Sequence, residues 1–361
     1  MKNILLIFLV TVLCFSYTES VYGISPTLID TGGRPTGLAF NASTDKVYVS
    51  SWSNNGSKIS VIDGLTDEVI DKIQIEGFTH GMAVNPQSDR VYVATDDHIL
   101  VVDGSTDKII DDVKVIKAIK IALNPETNRI YVSEWTYPNG SISVIDGLTD
   151  KVIENIRLND SDPYDIVVND NTNMIYASIV SASSGPISVI SIDGDTDKIV
   201  SNIILGYNRG FTLMPAPLKP IGISLDSEKN IIYAGNFYDN RISVINGSNN
   251  QIVSNITTSS TPQFVAINPS TNVIYTTNSR LHAVIAIDAS TAKIANTFSI
   301  PSSGFELTVD PQKNIVYAVN PDSGTISRIN AGDLVPEFPF AIPVLIVSIT
   351  SLIIFYRIKF G

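Results

Sequence analysis

Histidine and cysteine are the side chains most often used for metal or nucleophilic chemistry, and this chain has few of them. Its 361 residues include three histidines, His80, His98 and His282, and a single cysteine, Cys14. The histidines do not converge at a spacing typical of metal ligands, so we interpret them as exposed loop residues. Cys14 lies in an N-terminal segment that we expect to be removed, which leaves no thiolate nucleophile. The sequence therefore carries no recognisable catalytic motif, and a non-catalytic role is favoured.

One acidic segment has the spacing of a cation-binding loop. Asp193, Asp195 and Asp197 stand at alternate positions, and this pattern is typical of calcium loops. The equivalent segments at 63–67 and 103–107 keep the same first Asp and Gly, which favour tight turns. No Glu follows at the distance of a bidentate ligand. We therefore favour a turn, with calcium as the alternative, and expect no other cofactor.

The elements that carry these residues repeat seven times. A Tyr flanked by β-branched or small residues recurs with spacings of 44, 39, 45, 57, 42 and 42 residues. A short apolar strand and a turn, often Asn-Pro, precede each Tyr, and apolar strands separated by Asp-Gly or Asn-Gly follow it. We interpret the recurring tyrosines as structural: Tyr48, Tyr92, Tyr131, Tyr176, Tyr233, Tyr275 and Tyr317.

Four short antiparallel strands in each unit of about 40–45 residues indicate a β-propeller blade. The seventh unit reaches Val335 after only three strands, whereas residues 26–32 form an additional strand before the first unit. Placing this N-terminal strand in the last blade closes the ring and removes its open edges. The sequence therefore predicts an all-β, seven-bladed β-propeller over residues 24–334, with the N-terminal strand closing the last blade.

Aromatic residues mark one face of this predicted ring. Trp52, Trp135 and Phe237 each stand four residues after a repeat Tyr, in the loop after the second strand, and Tyr137 and Tyr238 lie nearby. Propeller ligands usually gather on the face that these loops share with the loops entering the inner strands. We interpret the cluster as a binding surface for a glycan or a protein. The alternative is that the rings fill the seams between blades.

The longest repeat spacing contains two insertions. One spans residues 181–186, and the other spans residues 206–220 and carries Tyr207, Arg209 and Phe211. The second insertion joins the fourth blade to the fifth, beside the predicted central opening. Long loops in compact folds are often functional, so it is expected to be a lid or specificity loop. An inert excursion is the alternative.

Six Asn-x-Ser/Thr sequences are candidate glycosylation sites. Three of them also contain Asn-Gly, which is explained equally well by a tight turn. The six asparagines are Asn41, Asn55, Asn139, Asn159, Asn246 and Asn255.

The N-terminal segment has the pattern of a secretory signal. Lys2 is followed by an apolar run that ends at Phe15, and then by a polar stretch to Gly23. The apolar run is shorter than the ~20 residues that span a bilayer. We therefore predict a signal peptide over residues 1–23, with an uncleaved anchor as the alternative.

The C-terminal segment has the pattern of a membrane anchor. Residues 340–356 carry no charge and are followed by Arg357 and Lys359. This pattern predicts a transmembrane helix within residues 335–361, with the basic end in the cytoplasm and the propeller outside. A buried core helix is the alternative.

The repeat motifs resemble a known family. Val47-Tyr48-Val49-Ser50 and Ile274-Tyr275-Thr276-Thr277-Asn278 are similar to the YVTN β-propeller repeats of archaeal surface-layer-type proteins and of the related bacterial YncE-like family. The resemblance covers residues 24–334 and implies the fold, but no catalytic residue. The Pro-Glu-Phe sequence at 336–338 resembles an archaeal C-terminal sorting signal, which implies that a membrane protease can replace the helix with a lipid anchor.

The charge balance excludes one class of partner. Asp and Glu total 36 against 24 Lys and Arg, a net charge of −12, which argues against a nucleic-acid-binding protein. The sequence therefore predicts an exported, cell-surface propeller that is a binding or scaffold module for an envelope glycan or surface protein. The alternative is a secreted propeller enzyme, a lyase or hydrolase with or without a metal ion, that uses the same face.

Overall fold

The computed structural model describes residues 25–332, apart from residue 55 and residues 182–184, 208–221 and 237–238. These residues form seven four-stranded antiparallel sheets and one 3₁₀ turn at Pro321–Ser323. Each sheet is one blade, and the first strands of neighbouring blades contact each other in a closed ring that returns from the seventh blade to the first. The predicted all-β, seven-bladed propeller is therefore confirmed.

The first two strands of each blade carry the inner half of the sheet. The inner strands are β2 (Arg34–Asn41), β6 (Thr79–Asn85), β10 (Ala118–Asn124), β14 (Ser161–Asn169), β18 (Ile223–Asp226), β22 (Val265–Asn268) and β26 (Leu307–Asp310). The second strands are β3 (Lys46–Ser53), β7 (Arg90–Thr95), β11 (Arg129–Glu134), β15 (Met174–Ser181), β19 (Ile231–Asn236), β23 (Val273–Asn278) and β27 (Ile315–Asn320).

The third and fourth strands form the outer half. The third strands are β4 (Gly56–Asp63), β8 (His98–Asp103), β12 (Ser141–Asp146), β16 (Pro186–Asp193), β20 (Arg241–Asn246), β24 (Ala283–Asp288) and β28 (Thr325–Asn330). The outer strands are β5 (Val69–Ile75), β9 (Lys108–Lys114), β13 (Lys151–Arg157), β17 (Lys198–Tyr207), β21 (Gln251–Thr257), β25 (Lys293–Ser299) and, for the seventh blade, β1 (Thr27–Asp30).

The N-terminal strand closes the ring. β1 pairs with β28 in the seventh blade, with Ile29 opposite Ile326. Ile29 is buried, and the Thr31 amide donates a hydrogen bond to the Gly324 carbonyl oxygen at 3.1 Å. The predicted closure of the last blade by an N-terminal strand is confirmed.

The hydrophobic core lies between adjacent blades. All seven repeat tyrosines are buried, and the core cluster around Tyr48, for example, includes Val91 and Val93 of the next blade. The Tyr48 hydroxyl also lies 3.4 Å from the Gly104 carbonyl oxygen of that blade. The tyrosines are therefore structural, as predicted.

A second set of contacts joins blades through polar side chains. At five of the seven junctions, the Asn that ends an inner strand donates from Nδ2 to an Asn or Asp of the next blade, as in the 2.9 Å bond from Asn169 to Asn230. At the other two junctions the inner strand ends in Asp226 or Asp310, and a lysine three residues later crosses to the next blade. Where Asn is replaced by Asp, a cation therefore takes over the donor role.

Both ends of the described chain lie on the same side of the ring. β28 ends at Asn330, opposite Ile315, and β1 begins opposite Arg328 near that end of β28. Within residues 25–332, outside the gaps given above, no helix is long and apolar enough to cross a membrane. The predicted signal peptide and C-terminal anchor lie outside the described residues.

Candidate functional site

A cavity of about 270 Å³ opens at one end of the central channel. We call this end the entrance face, since the inner strands begin there, and the opposite end, with the turns between third and outer strands, the exit face. Residues of blades one, two, three, four and seven line the cavity: Thr36, His80, Gly81, Ile119, Lys120, Trp135, Tyr164 and Phe305.

One register position of the inner strands supplies two of the cavity residues, Gly81 and Lys120. It is the position four residues before the Asn or Asp that ends each inner strand. In chain order the seven blades carry Gly37, Gly81, Lys120, Asp165, Gly222, Phe264 and Glu306 there.

Glycine is required at this position in the three blades that carry it, because the next blade comes close there. A methyl group at Gly81 would lie 2.7 Å from the Ile119 carbonyl oxygen and 2.8 Å from Lys120 Cδ. At Gly37 it would lie 2.2 Å from the His80 carbonyl oxygen. A side chain at these glycines would collide with the next blade, whereas Lys120 and Glu306 extend from the same register position towards each other.

Lys120 and Glu306 form a buried ion pair between blades three and seven. Lys120 Nζ contacts Glu306 Oε1, and the two side chains are only 9% and 12% exposed. The same ammonium lies 5.1 Å from the centre of the Phe264 ring, within the range of a cation–π contact. Burial raises the pKa of Glu306, although Lys120 opposes the shift. The pair links two blades that are not neighbours in the ring.

Asp165 is the third ionisable group at this register position. Its Oδ2 accepts a hydrogen bond from the Ile223 amide of the next blade at 2.9 Å, and its Oδ1 accepts one from the Ile166 amide at 3.0 Å. Burial raises the pKa of Asp165, whereas Lys120 and these amides lower it. Asp165 therefore joins two blades and also places a second carboxyl group near Lys120.

Aromatic rings form one wall of the site. The Trp135 ring meets Tyr164 edge to face, with ring centres 6.0 Å apart. Tyr164 in turn lies 6.3 Å from Phe264, and Phe264 lies 5.0 Å from Phe305. Tyr164 and Phe264 are buried, whereas Trp135 and Phe305 are partly exposed. Trp135 therefore packs across the seam between blades three and four and also lines the cavity.

Trp52 lies at the rim of the entrance face and not in the cavity. It stacks on Phe78, with ring centres 5.5 Å apart and an interplanar angle of 27°. Phe78 lies in the loop that enters the inner strand of the second blade, and half of its surface is exposed. Two residues further on, His80 lines the cavity. The rim pair and the cavity are therefore neighbours on one face.

His80 is a cavity residue that sequence reasoning placed in an exposed loop. It lies in β6, and its Nε2 is 3.3 Å from Asp96 Oδ1, which also contacts Lys117 Nζ at 3.4 Å. Burial alone would raise the pKa of Asp96, but the two basic partners outweigh it and lower the pKa. The interpretation of His98 as a loop residue is also wrong, because His98 begins β8. His282 is exposed in the turn before β24, as predicted.

The remaining predicted aromatic and basic residues divide into two groups. Tyr137 and Tyr207 are 56% and 62% exposed, at the loop after β11 and at the end of β17. Neither lines the cavity. The others lie outside the described residues: Arg209, Phe211, Phe237 and Tyr238.

The three aspartates considered for calcium are used in separate contacts. Asp193 accepts hydrogen bonds from the Asp195 and Thr196 amides, as expected for a turn. Asp195 accepts one from Asn173, and Asp197 pairs with Arg129 at 2.9 Å. Within the described part of the chain, no group of three or more His, Cys, Asp or Glu residues is arranged to hold a metal ion.

The candidate glycosylation sites differ in accessibility. Asn41 is fully buried, and its Nδ2 donates to Asp89 at 2.7 Å, so the folded propeller does not present this amide to an enzyme. Asn246 is half-buried, and Asn55 lies outside the described residues. The exposed members of the set are Asn139, Asn159 and Asn255.

The sequence was compared with known proteins. No protein-family model matches the chain, and none of the curated proteins that were searched matches it.

Proposed function

We propose that this protein is a non-catalytic binding module of the cell envelope and that the channel mouth on the entrance face is its ligand site. The observation that carries the proposal is the cavity itself, which combines an aromatic wall with the buried Lys120 side chain, itself paired with Glu306. Sites for small ligands are typically concave and mostly apolar, with a few fixed polar groups that set orientation. Trp135, Phe305 and Lys120 supply these features here.

The break in repeat symmetry supports this location. The core tyrosines and the interblade amides recur around the ring because every blade needs them to pack. Lys120, Asp165 and Glu306 do not recur, although they occupy equivalent positions. The blades therefore differ at this one register position, which makes the channel mouth asymmetric. An asymmetric site can bind a specific ligand in one orientation.

The direction of the chain ends is compatible with a surface anchor. The described chain ends at Gly332 after a strand that runs to the exit face, opposite the cavity. If the C-terminal segment is a membrane or lipid anchor, the cavity faces away from the membrane and towards the envelope. The motif resemblance to YVTN repeats of surface-layer-type proteins favours the same location. The proposed partner is an envelope glycan, with a surface protein as the alternative.

A binding assay with isolated envelope tests this proposal. The full-length protein should sediment with envelope preparations, and Trp135→Ala should weaken this association while the variant still folds cooperatively. Leu148→Ala is the matched control, since Leu148 is 80% exposed in a turn on the exit face. Equal binding by wild type and Trp135→Ala would rule out the channel mouth as the site.

The secreted-enzyme alternative has one feature in its favour. Asp165 and Glu306 are two partly buried carboxyl groups with raised pKa values near one cavity, and perturbed carboxyl groups are candidates for acid–base catalysis. Turnover of an envelope glycan by the wild type, lost in Glu306→Gln, would favour this alternative over pure binding.

A further inference from the structure

Phe78 is an exposed aromatic ring that the sequence motifs do not mark. It stacks on Trp52, which is held in β3 opposite Arg34. Large exposed aromatic rings held by a stacked partner present a rigid flat surface at low entropic cost. Together, Phe78 and Trp52 form what we call the rim platform, and Phe78 supplies its exposed part.

The rim platform and the cavity are connected by polar side chains. Thr36 and His80 line the cavity next to the rim platform. The Thr36 hydroxyl lies 3.0 Å from Ser50 Oγ and 3.4 Å from Thr79 Oγ1, and His80 is held by Asp96. Flat apolar surfaces flanking fixed hydroxyl and imidazole groups match a sugar chain, whose rings have apolar faces and polar edges.

Charge near the cavity restricts the kind of sugar. Lys120 is already paired with Glu306, and the Asp165 carboxyl group is a second acidic partner near it. The charge of the whole chain is also negative, at −12. An acidic sugar would meet repulsion both on approach and at the site, because none of the described residues that line the cavity offers a cation without a carboxylate partner.

We infer that the entrance face binds an extended, uncharged sugar chain, with one ring in the cavity beside Trp135 and a further ring on the rim platform at Phe78. This inference rests on the proposed function and names its ligand class. A sugar chain long enough to reach both the cavity and the rim platform should bind more tightly than a short one. Once one ring is bound, the contact of the second ring becomes intramolecular.

Oligosaccharides released from the envelope of the producing organism test the inference. They are separated into neutral and acidic pools and by length, and titrated into the full-length protein by calorimetry. The neutral pool should bind, with affinity rising about tenfold from single rings to chains of about four rings, as expected for one added aromatic contact. The acidic pool should bind more weakly at every length.

Variants separate the two contacts. Phe78→Ala should remove the increase with length but keep the binding of short fragments, whereas Phe78→Tyr should retain the increase. Trp135→Ala should weaken the binding of oligosaccharides of all lengths, and Leu148→Ala should bind them like the wild type. Affinity that does not depend on length, an increase that survives Phe78→Ala, or preference for the acidic pool would overturn the inference.

Failure of the inference is distinguishable from failure of the proposed function. If whole envelope binds through Trp135 but no released sugar does, the ligand is a surface protein and only the sugar inference fails. If neither whole envelope nor sugars bind, both fail.

Discussion

Lys120 and Glu306 illustrate how two residues can decide the form of a site in a repeat fold. Breaking a buried ion pair leaves an uncompensated charge and costs about 3–5 kcal/mol, whereas replacing both partners costs far less. We therefore expect Lys120→Met and Glu306→Gln each to lower the free energy of unfolding by about 3 kcal/mol or more. The double variant should be closer to wild type than either single variant, as measured by chemical denaturation.

A matched pair on the surface provides the control for this cycle. Arg34 and Asp322 are more than half exposed, so the corresponding cycle should give a coupling energy below about 1 kcal/mol. Additive effects of the Lys120 and Glu306 substitutions would contradict the presence of a coupled buried pair.

Asp103 shows how single turn residues respond to pH. Hydrogen bonds from Ser105 and from the Thr106 amide lower the pKa of Asp103 to about 2. Because the folded pKa lies below the unfolded value, the stability that Asp103 adds is complete above about pH 4 and is lost as pH falls towards 2. Asp103→Asn removes this titration. The difference in melting temperature between wild type and Asp103→Asn should therefore change between pH 4 and pH 2 and stay constant between pH 5 and pH 7.

A difference that stays constant from pH 5 down to pH 2 would contradict this pKa. Other acidic groups titrate in both proteins and cancel in the comparison.

Among single residues, those that recur in every blade could be predicted from the sequence, whereas those that occur in one blade could not. The tyrosines were predictable as structural because seven copies share one environment. Lys120, Asp165 and Glu306 were overlooked because their register is apparent only when the seven inner strands are aligned on their terminal Asn or Asp. Phe78 carries no motif, and its role depends on a stacking contact that spacing cannot show.

The interblade amide hydrogen bonds predict which substitutions are tolerated at the Asn that ends an inner strand. Asn169→Asp places a carboxylate opposite Asn230 Oδ1 in a buried position, replacing the donor of a 2.9 Å bond with an acceptor. We expect this to lower the free energy of unfolding by about 1–3 kcal/mol or more. Adding Thr172→Lys should recover much of the loss, because Lys229 and Lys313 stand three residues after Asp226 and Asp310 at the two natural junctions of this kind.

Thr172→Lys alone is the control and should be near neutral, since residue 172 is exposed. If the lysine fails to stabilise the Asn169→Asp variant, the interblade cation is not the compensating element. Differential scanning calorimetry of the wild type, the two single variants and the double variant gives this result directly.

The elements were predictable because strand and turn signals coincide in every repeat. Asn-Pro and Asp-Gly turns bracket the strands, so the number and order of strands followed from the sequence. The entrance-face loops were less predictable, because they differ between blades. His80 and His98 were assigned to loops for this reason, whereas both lie within strands. His98 pairs with Lys114, and His80 lies where the register of β6 shifts between Thr79 and Met82.

At the scale of the whole molecule, the closing strand links the two ends of the ring. Ile29 is 5% exposed, whereas its neighbour Leu28 is 50% exposed on the same strand. Ile29→Ala should lower the free energy of unfolding by about 2–5 kcal/mol. Leu28→Ala should change it by less than about 0.5 kcal/mol. Equal effects of the two substitutions on denaturant midpoints would contradict the pairing of β1 with β28.

The overall architecture was accessible from sequence because closure requires a fourth strand for every blade. The ring was recognisable despite one repeat spacing of 57 residues, because the additional strand before the first unit supplies the strand that the seventh unit lacks. The location of the cavity was only partly accessible. The loops after the second strands indicated the correct face. Whether Trp135 or Trp52 lines the cavity or lies at its rim depends on the neighbouring ring that each one contacts, which the sequence does not show.

Hydrogen–deuterium exchange of the full-length protein, with and without envelope oligosaccharides, tests directly whether the channel mouth is the ligand site. Added ligand should slow exchange at Phe78–Gly81 and at residues 135–140, with no change in the exit-face turn at 146–150. Slower exchange at the exit-face turns or along the outer strands, with none at the channel mouth, would contradict it.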